Sequence, residues 1–402
     1  MKTIGIIMAG GKGERLYPLT KERSKPAVPF AAKYRIIDFV LSNFVNSGIF
    51  ANYVLVQYLS QSLIEHIRQN WAFSSVTKDH FITVVPPQMR LGEMWYRGTA
   101  DAVKQNLNLI SDFSPDLVAI FGADHIYRMD IRQMIKFHME KKSDVTISAI
   151  TVPLKEASRF GTITADDKDR VVGFEEKPKN PKPIPSNSEL VYASMGNYIF
   201  DFEVLRKIMH EFADKDDVDF GKTILPAIYK KYNVFAYNYS EQNLPGIKKY
   251  EEPNYWRDVG TIQSYFDAHM DLLGEKPKLD LNNSKWPIIS QKFMSGPAKI
   301  IQSNIEDSLV SDGSVITKSS LKKCIISSNV IIHEKCELTN CIIMDNCEIK
   351  SGSRLKNVIV DRYNVFEPKT IIGYHPDRDA QNYYIDPSGI IVIPRGISKW
   401  EW

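Results

Sequence analysis

The chain has 402 residues, of which 43% are hydrophobic and 25% charged, a composition that excludes a disordered or fibrous protein and predicts two or three domains. Its 51 Lys and Arg nearly balance 48 Asp and Glu, so the net charge of +3 gives no support for a nucleic-acid partner. No apolar run reaches the roughly 20 residues of a membrane span, and the start lacks the features of a signal peptide. We therefore expect a cytoplasmic protein without a membrane partner.

Up to about residue 275, short β-branched runs alternate with amphipathic stretches. The clearest predicted strands are Thr3–Met8, Tyr53–Gln57, Leu117–Phe121 and Val145–Val152, and the clearest helices are Leu63–Trp71, Ala102–Ile110 and Ile131–Lys141. This alternation is typical of βαβ units. It predicts an α/β, Rossmann-like αβα domain with a mostly parallel sheet over residues 1–275.

Beyond about residue 290, apolar residues recur every six positions. The series are Leu309, Val315, Leu321; Cys324, Val330, Cys336, Ile342; Ile343, Ile349, Leu355; and Ile359, Val365, Ile371. A six-residue repeat is typical of a β-helix with short faces, in which each turn buries the same inward position. We predict a linker over 276–290 and a left-handed parallel β-helix of the hexapeptide type over 291–402.

The four cysteines, Cys324, Cys336, Cys341 and Cys347, all lie in this repeat region. Their clustering suggests zinc, but the spacing lacks the CxxC pairs of structural zinc sites. Two of them occupy inward positions of the repeat, where a small apolar side chain is required. Buried free thiols are therefore the favoured interpretation.

Three glycines, Gly10, Gly11 and Gly13, follow the first predicted strand, with Arg15 and Lys25 close behind. Glycines at a strand end let backbone N–H groups approach a phosphate, and the two cations add donors for a polyphosphate. The spacing fits neither a P-loop nor GxGxxG. A glycine turn with surface cations is the simpler alternative.

Two carboxylates, Asp124 and Asp258, follow short apolar runs. Asp124 comes just after the predicted strand Leu117–Phe121, at the sheet edge where ligands bind in open α/β folds. Distant in sequence, the two could converge on one Mg²⁺ that bridges phosphates. The alternative for Asp124 is a helix N-cap.

These residues lie within a longer set of motifs in the same order as in one family. The motifs are Gly10–Leu16, Lys25–Phe30, Tyr34–Phe39, Trp95–Ala102, Gly122–Tyr127, Phe174–Pro178, Ala193–Gly196, Asp219–Gly221 and Tyr255–Gly260. The chain resembles the sugar-1-phosphate nucleotidylyltransferases, and within them the branch that forms ADP-glucose. The match covers nearly the whole chain and ends in the six-residue repeat.

The resemblance implies that a phosphate oxygen of glucose 1-phosphate attacks the α-phosphorus of ATP, giving ADP-glucose and pyrophosphate for glycogen or starch-like glucan synthesis. It implies Mg²⁺, held by Asp124 and Asp258, with Arg15 and Lys25 neutralising the triphosphate. Lys177 would bind the sugar phosphate. The residues implied around the sugar are Glu176, Ser194, Tyr96 and the backbone at Gly161, and Gln88 and Gly98 are candidates for base contacts.

Some of these residues have structural alternatives. Tyr96 could be a core aromatic residue, Ser194 a strand-edge hydroxyl and Lys177 a solvated lysine in a turn. His125 could serve as an acid or base, but the implied chemistry needs neither, so a structural role is favoured for it.

The chain departs from the family pattern at a few positions. Glu14 replaces a common Ser or Thr, Ala31-Ala32 replaces a common Gly-Gly pair, which could alter loop flexibility, and Glu22 stands between two cations. The resemblance also implies a small-molecule allosteric effector bound between the domains and a homotetramer. The mixed charge around Glu22 leaves the effector's identity open.

Three other functions remain open. A related enzyme using UTP or dTTP would share the chemistry. A catalytically silent regulatory subunit is disfavoured because Arg15, Lys25, Asp124, Lys177 and Asp258 are all present. An acyltransferase would fit the C-terminal repeat but would leave the N-terminal phosphate motifs unexplained.

Overall fold

The structure is a computed structural model and describes residues 1–72, 79–88, 95–184, 187–215, 218–290 and 295–396. The N-terminal part contains a central sheet with helices on both faces. Each helix of the described ranges is too short or too polar to cross a lipid bilayer.

The strands of this part alternate with helices along most of its length. The strands are β1 (Thr3–Met8), β2 (Pro29–Phe30), β3 (Tyr34–Arg35), β4 (Ala51–Leu55), β5 (Phe81–Val85), β6 (Leu117–Gly122), β7 (His125–Tyr127), β8 (Val145–Pro153), β9 (Gly161–Ala165), β10 (Val171–Glu176), β11 (Leu190–Asp201), β12 (Val234–Asn238) and β13 (Trp256–Asp258). The α-helices are α1 (Ile36–Asn46), α2 (Gln61–Asn70), α3 (Thr99–Gln105), α4 (Leu107–Phe113), α5 (Ile131–Glu140), α6 (Phe202–Glu211), α7 (Leu225–Ile228) and α8 (Ile262–Met270). Single turns of 3₁₀-helix lie at Glu14–Leu16, Lys25–Ala27 and Tyr239–Glu241, a longer one at Leu154–Arg159, and a π-turn at Phe220–Ile224.

The central sheet runs in the order β10-β9-β11-β6-β1-β4-β5, with β8 pairing β11 and β12. β1 pairs in parallel with β4 and β6, whereas β11 is antiparallel to its neighbours. The αβα class is confirmed, and the sheet is mixed. Because β1, β4 and β6 are parallel neighbours, their carboxyl ends lie at one edge, where the loops after them meet.

The predicted elements are close to those observed, with one break. The first predicted strand coincides with β1, and the predicted helix at Ile131 is α5. The predicted single helix Ala102–Ile110 is wrong, because the chain leaves helical geometry at Asn106 between α3 and α4. The Asn106 amide donates to the Ala102 carbonyl and to the Tyr96 hydroxyl. The side chain thus competes with the helical hydrogen-bond pattern.

The C-terminal part is built of short strands that stack into coils, and all of their pairings are parallel except one antiparallel pair near the end. They are β14 (Lys299–Ile301), β15 (Asn304–Glu306), β16 (Leu309–Val310), β17 (Val315–Thr317), β18 (Ser320–Lys322), β19 (Ile325–Ile326), β20 (Ile331–Ile332), β21 (Glu337–Ile343), β22 (Glu348–Ile349), β23 (Arg354–Val360), β24 (Val365–Phe366), β25 (Ile371–Ile372), β26 (Tyr384–Ile385) and β27 (Ile391–Ile393), with helix α9 at Pro376–Asn382. The parallel stacking fits the predicted left-handed β-helix.

Inward side chains of the coils form continuous columns. Ile316, Ile332 and Ile349 pair in register from one coil to the next and are fully buried. Phe366 continues this column at 8% exposure, so the prediction that Val365 points inward is wrong: Val365 is 46% exposed. In a two-residue strand the side chains point to opposite faces, and the larger ring takes the core position.

The four cysteines are buried free thiols, as the sequence favours. Burial raises the pKa of the Cys336 thiol, as expected for a thiol in apolar surroundings. The cysteines therefore serve as small apolar residues of the β-helix core.

The N-terminal part packs on the β-helix through one shared apolar cluster. Phe30, Phe39 and Ile288 belong to it together with Ile342 and Ile359 of the β-helix. Ile288 lies in the predicted linker, so part of that segment is buried rather than exposed. The limits 1–275, 276–290 and 291–402 stay predictions.

Ala31 and Ala32, at the usual Gly-Gly position, adopt left-handed backbone geometry, with φ of 55° and 60°. Such geometry costs roughly 1–2 kcal/mol for a residue with a Cβ. Both residues are buried, and the Ala31 N–H donates to His269 Nε2 at 3.1 Å. Surrounding contacts therefore hold this turn in place despite the missing glycines.

A buried ion pair joins the two parts. Arg23 Nη2 lies 2.9 and 2.8 Å from the two carboxylate oxygens of Asp361, and both residues are 1% exposed. A buried charge that loses its partner is costly, whereas exposed pairs contribute little.

We predict that Asp361→Ala lowers the free energy of unfolding by about 3–5 kcal/mol, because it leaves Arg23 buried and unpaired. The measurement is urea unfolding followed by circular dichroism. Glu337→Ala, which breaks the exposed Arg354–Glu337 pair, is the matched control and should cost less than about 1 kcal/mol. Equal losses in the two variants would contradict the prediction.

Candidate active site

A cleft of about 970 Å³ opens at the carboxyl edge of β1, β4 and β6. Every predicted site residue except Gln88 lines it. These are Gly10, Gly11, Gly13, Arg15, Lys25, Tyr96, Gly98, Asp124, Gly161, Glu176, Lys177, Ser194 and Asp258. The structure thus brings together residues from nearly the whole N-terminal part.

The glycine loop after β1 forms one wall of the cleft. Gly13 has φ of 67°, and a Cβ there would lie 2.8 Å from the Cβ of Lys25. Gly11 faces open space, with no atom within 4 Å of an added Cβ. The loop therefore approaches Lys25 closely at Gly13 and leaves its backbone at Gly11 accessible to a ligand.

Lys25 lies at the centre of the site between two carboxylates. Its ammonium is 3.1 Å from Asp124 Oδ2 and 3.1 Å from Asp258 Oδ1, and its side chain is only 7% exposed. Burial alone would lower the pKa of Lys25, but the attraction of Asp124 and Asp258 outweighs it and the pKa is raised. For Asp124, desolvation would raise the pKa, but Lys25 outweighs it and the pKa falls well below its usual range. Lys25 and Asp124 are therefore charged together at neutral pH.

Strand pairing brings the two carboxylates together. Asp124 is the second residue after β6, and β7 begins at the next residue, so the helix N-cap alternative does not apply. β13 pairs antiparallel with β7 and places Asp258 opposite His125. The α5 helix, which begins at Ile131, is capped by Asp130 instead.

Asp124, His125 and Asp258 offer ligand atoms that all lie within 4.8 Å of one another. Carboxylate oxygens suit Mg²⁺, so the chemistry of the two aspartates fits a divalent cation. The ring of His125 packs against Trp256 at an interplanar angle of 53°, with centroids 4.8 Å apart, and its Nε2 lies 3.6 Å from Asp124 Oδ1. The contact with Trp256 fits the structural role favoured for His125. The residue also lies beside the carboxylates.

Glu176 and Lys177 form the opposite side of the cleft. Lys177 Nζ lies 3.7 Å from Glu176 Oε1 and is 60% exposed. Burial raises the pKa of Glu176, although Lys177 opposes the shift. A Cβ on Gly161 would lie 2.8 Å from Glu176 Oε2, and one on Gly221 would lie 2.7 Å from it. Two glycines thus leave room for this carboxylate.

Tyr96 borders the cleft and is held by its backbone. Its N–H donates to Gln57 Oε1 at 2.6 Å, and the Gln57 amide donates back to its carbonyl at 3.2 Å. Its hydroxyl accepts from Asn106 at 2.9 Å. The ring therefore has a fixed position with its hydroxyl satisfied, and it still borders the cleft.

Ser194, a half-buried residue of β11, accepts a hydrogen bond from the Gly196 N–H at 3.3 Å.

Gln88 is the exception among the predicted site residues. It is exposed beyond β5, and its amide donates to the Pro86 carbonyl at 2.8 Å. The following residues, 89–94, lie outside the described ranges. The described cleft lining therefore excludes Gln88, and its base contact finds no support there.

Sequence reasoning missed Gln57 and Arg159 in the cleft lining, and it gave no role to Asp219 although that residue lies in a matching motif. Asp219 accepts a hydrogen bond from Thr99 Oγ1 at 2.8 Å and from the Gly221 N–H at 2.9 Å. Gln57 follows the carboxyl end of β4, so the strand-end rule that found Asp124 could have found it. Arg159 had no such signal, because it lies at the end of a short 3₁₀-helix.

Comparisons with known proteins cover the same two parts of the chain. The model of the nucleotidyl transferase family matches residues 4–275, and the model of the GlmU-like C-terminal hexapeptide region matches residues 290–393. The chain is 52% identical over 402 residues to a glucose-1-phosphate adenylyltransferase of Thermodesulfovibrio yellowstonii, covering 100% of this chain and 98% of the relative. It is 45% identical to glucose-1-phosphate adenylyltransferase 1 of Vibrio parahaemolyticus and 42% identical to a glucose-1-phosphate adenylyltransferase of Anaeromyxobacter, in both cases over 98% of each chain.

We predict that Gly161→Ala weakens binding of the implied sugar phosphate about tenfold, or about 1.4 kcal/mol, because the new Cβ would lie 2.8 Å from both Glu176 Oε2 and the Phe174 ring and so displaces the carboxylate. Calorimetric titration with glucose 1-phosphate measures the effect. Gly296→Ala, where an added Cβ meets nothing within 4 Å, is the control. Unchanged affinity in Gly161→Ala would show that the position of Glu176 does not matter for binding.

Proposed function

The chain belongs to the glucose-1-phosphate adenylyltransferase group of the nucleotidyl transferase family, and from that premise we propose how its cleft transfers the adenylyl group of ATP to glucose 1-phosphate. The product is ADP-glucose, an activated donor for glycogen or starch-like glucan synthesis. The observation that carries the assignment of residues is the Lys25–Asp124–Asp258 cluster, which lies between the glycine loop and the Glu176–Lys177 side of one cleft.

In the reaction, an oxygen of the sugar phosphate attacks the α-phosphorus of ATP. One phosphorus–oxygen bond forms, the bond from the α-phosphorus to the bridging oxygen breaks, and pyrophosphate leaves with the electron pair. The attacking phosphate is already anionic, so no protein base is needed. Catalysis therefore rests on positioning and on neutralising charge.

Each wall of the cleft has a part in this scheme. The backbone at Gly10, Gly11 and Gly13 binds phosphate oxygens of ATP, and Arg15 and Lys25 offset the negative charge that builds up on the triphosphate. Gly98 borders the nucleotide side. Its backbone lies so close to Val218 that an added Cβ would be 2.5 Å from the Val218 carbonyl oxygen. The two backbone segments therefore pack in a way that requires glycine at position 98.

The sugar side holds the attacking group. Lys177 binds the phosphate of glucose 1-phosphate, and Glu176, Ser194, Tyr96 and the backbone at Gly161 surround the sugar. A half-buried carboxylate such as Glu176 suits sugar hydroxyl donors, because these satisfy it without adding charge.

Asp124 and Asp258 would hold the Mg²⁺. When bound, this ion supplies positive charge to the α-phosphate and the attacking phosphate. Lys25 holds the two carboxylates close together despite their mutual repulsion, so the protein's own residues fix the position of the site.

We also propose an anionic small-molecule effector between the two parts and a homotetrameric assembly in the cytoplasm. Support for the anionic effector comes from crowded arginines where the two parts meet. Burial lowers the pKa of Arg35 to about 10, with nearby Arg362 and Arg23 adding to the shift. A bound anion would relieve this repulsion.

To test the reaction, the purified chain is incubated with glucose 1-phosphate, Mg²⁺ and each of ATP, UTP and dTTP, and pyrophosphate is measured. We expect release with ATP at least tenfold faster than with the others. Faster release with UTP or dTTP would overturn the adenylyl assignment. No release from any triphosphate would favour a silent regulatory subunit.

To test the metal site, we predict that Asp124→Asn lowers turnover about 100-fold or more and weakens Mn²⁺ binding, measured by electron paramagnetic resonance, at least about tenfold. The loss follows because an amide oxygen lacks the charge that attracts the ion. Asp166→Asn, at an exposed loop outside this cleft, is the control. Unchanged Mn²⁺ affinity with an intact circular dichroism spectrum would contradict the role.

A further inference from the structure

Arg159 is a cation of the cleft that the proposed mechanism does not use. It is the last residue of the 3₁₀-helix Leu154–Arg159, it is exposed, and it lines the cleft. Within the described ranges its guanidinium has no hydrogen bond and no ion pair. Its guanidinium is therefore available to a ligand in the cleft.

The backbone places Arg159 on the sugar side of the cleft. Gly161 pairs with Glu176 across β9 and β10, and the Lys177 N–H donates to the Phe160 carbonyl at 3.1 Å. Arg159 precedes Phe160 in the chain. Arg159 and Lys177 therefore belong to neighbouring segments that are joined by a hydrogen bond. Lys177 has φ of 48°, so its segment turns sharply at this point.

The charges on this side do not balance a phosphate. A phosphomonoester carries a charge of about −1.5 to −2 at neutral pH. Lys177 is the cation already assigned to it, but its ammonium lies 3.7 Å from the Glu176 carboxylate, which offsets its charge. Asp219 adds another negative charge to the same lining. Lys222 also acts on Glu176 but lies outside the cleft lining, so on this side of the lining Lys177 by itself leaves the phosphate under-neutralised.

Arginine suits the remaining role. Its planar fork donates two parallel hydrogen bonds to phosphate oxygens, whereas lysine acts as a point charge. Bidentate binding of two oxygens would leave the third free to attack the α-phosphorus.

We propose that Arg159 is a substrate-binding residue that holds the phosphate of the sugar 1-phosphate together with Lys177. The inference rests on the proposed function for the identity of the substrate. It predicts a contact that acts equally in the ground state and the transition state, because the phosphate oxygens it binds take no part in bond formation.

The first test is steady-state kinetics with the full chain. Arg159→Ala should raise KM for glucose 1-phosphate about tenfold or more, with kcat and KM for ATP within about twofold of the unaltered chain. Arg159→Lys should recover part of the loss, because it restores charge without the fork. Lys155→Ala removes a cation from the same 3₁₀-helix outside the cleft lining and is the matched control.

An unchanged KM for glucose 1-phosphate in Arg159→Ala, or a change confined to KM for ATP, would overturn the inference. So would a rise of the same size in Lys155→Ala, since that would indicate general electrostatic attraction rather than a contact.

Calorimetric titration separates this inference from the proposed function. Glucose 1-phosphate is titrated into the chain with Mg²⁺ and a non-hydrolysable ATP analogue. If the unaltered chain binds the sugar phosphate and Arg159→Ala binds it at least tenfold more weakly, the inference holds even if no triphosphate yields pyrophosphate. If turnover is normal and the two affinities are equal, the inference fails while the proposed function stands. No binding by the unaltered chain would overturn both.

Discussion

A buried lysine held between two carboxylates is the interaction on which the rest of the site depends. Lys25, Asp124 and Asp258 come from three distant segments of the chain and meet within hydrogen-bond distance. Removing a lysine from water is unfavourable, and two like-charged aspartates repel each other. The three together are stable because the attraction between the lysine and each aspartate offsets the cost of removing these charges from water. This mutual compensation fixes the glycine loop, the end of β6 and the end of β13 relative to one another.

The same principle operates where the two parts of the chain meet. Arg23 and Asp361 are both buried and satisfy each other, beside an apolar cluster that spans the contact. Arg23 lies two residues before Lys25 in the chain. The segment between the glycine loop and β2 is therefore held at one end of the cleft by the catalytic cluster and on its other side by the β-helix. A change at the contact between the two parts would reach the phosphate side of the cleft through two residues.

Much of the fold and of the site was predictable from the sequence. Continuous apolar runs identified β1 and β6, and apolar residues recurring every three or four positions identified α5, because both patterns are properties of neighbouring positions. The strand-end rule found Asp124, and the motif order identified most of the cleft lining. Prediction failed where a side chain competed with the backbone, as at Asn106. It also failed where either of two adjacent apolar residues could occupy the core position of a coil, as at Val365 and Phe366. It also missed Gln57 and Arg159, whose relevance depends on what lies opposite them in space.

The sequence by itself determined the residue types that phosphate chemistry requires, the two-part organisation and the repeat of the β-helix, since all of these are written in spacing along the chain. Only the tertiary structure decided which charges face each other. Coulombic attraction depends on distance and on burial, and neither is a function of sequence separation. Lys25 therefore becomes the partner of residues about a hundred and more than two hundred positions away, and Arg159 becomes a neighbour of Lys177.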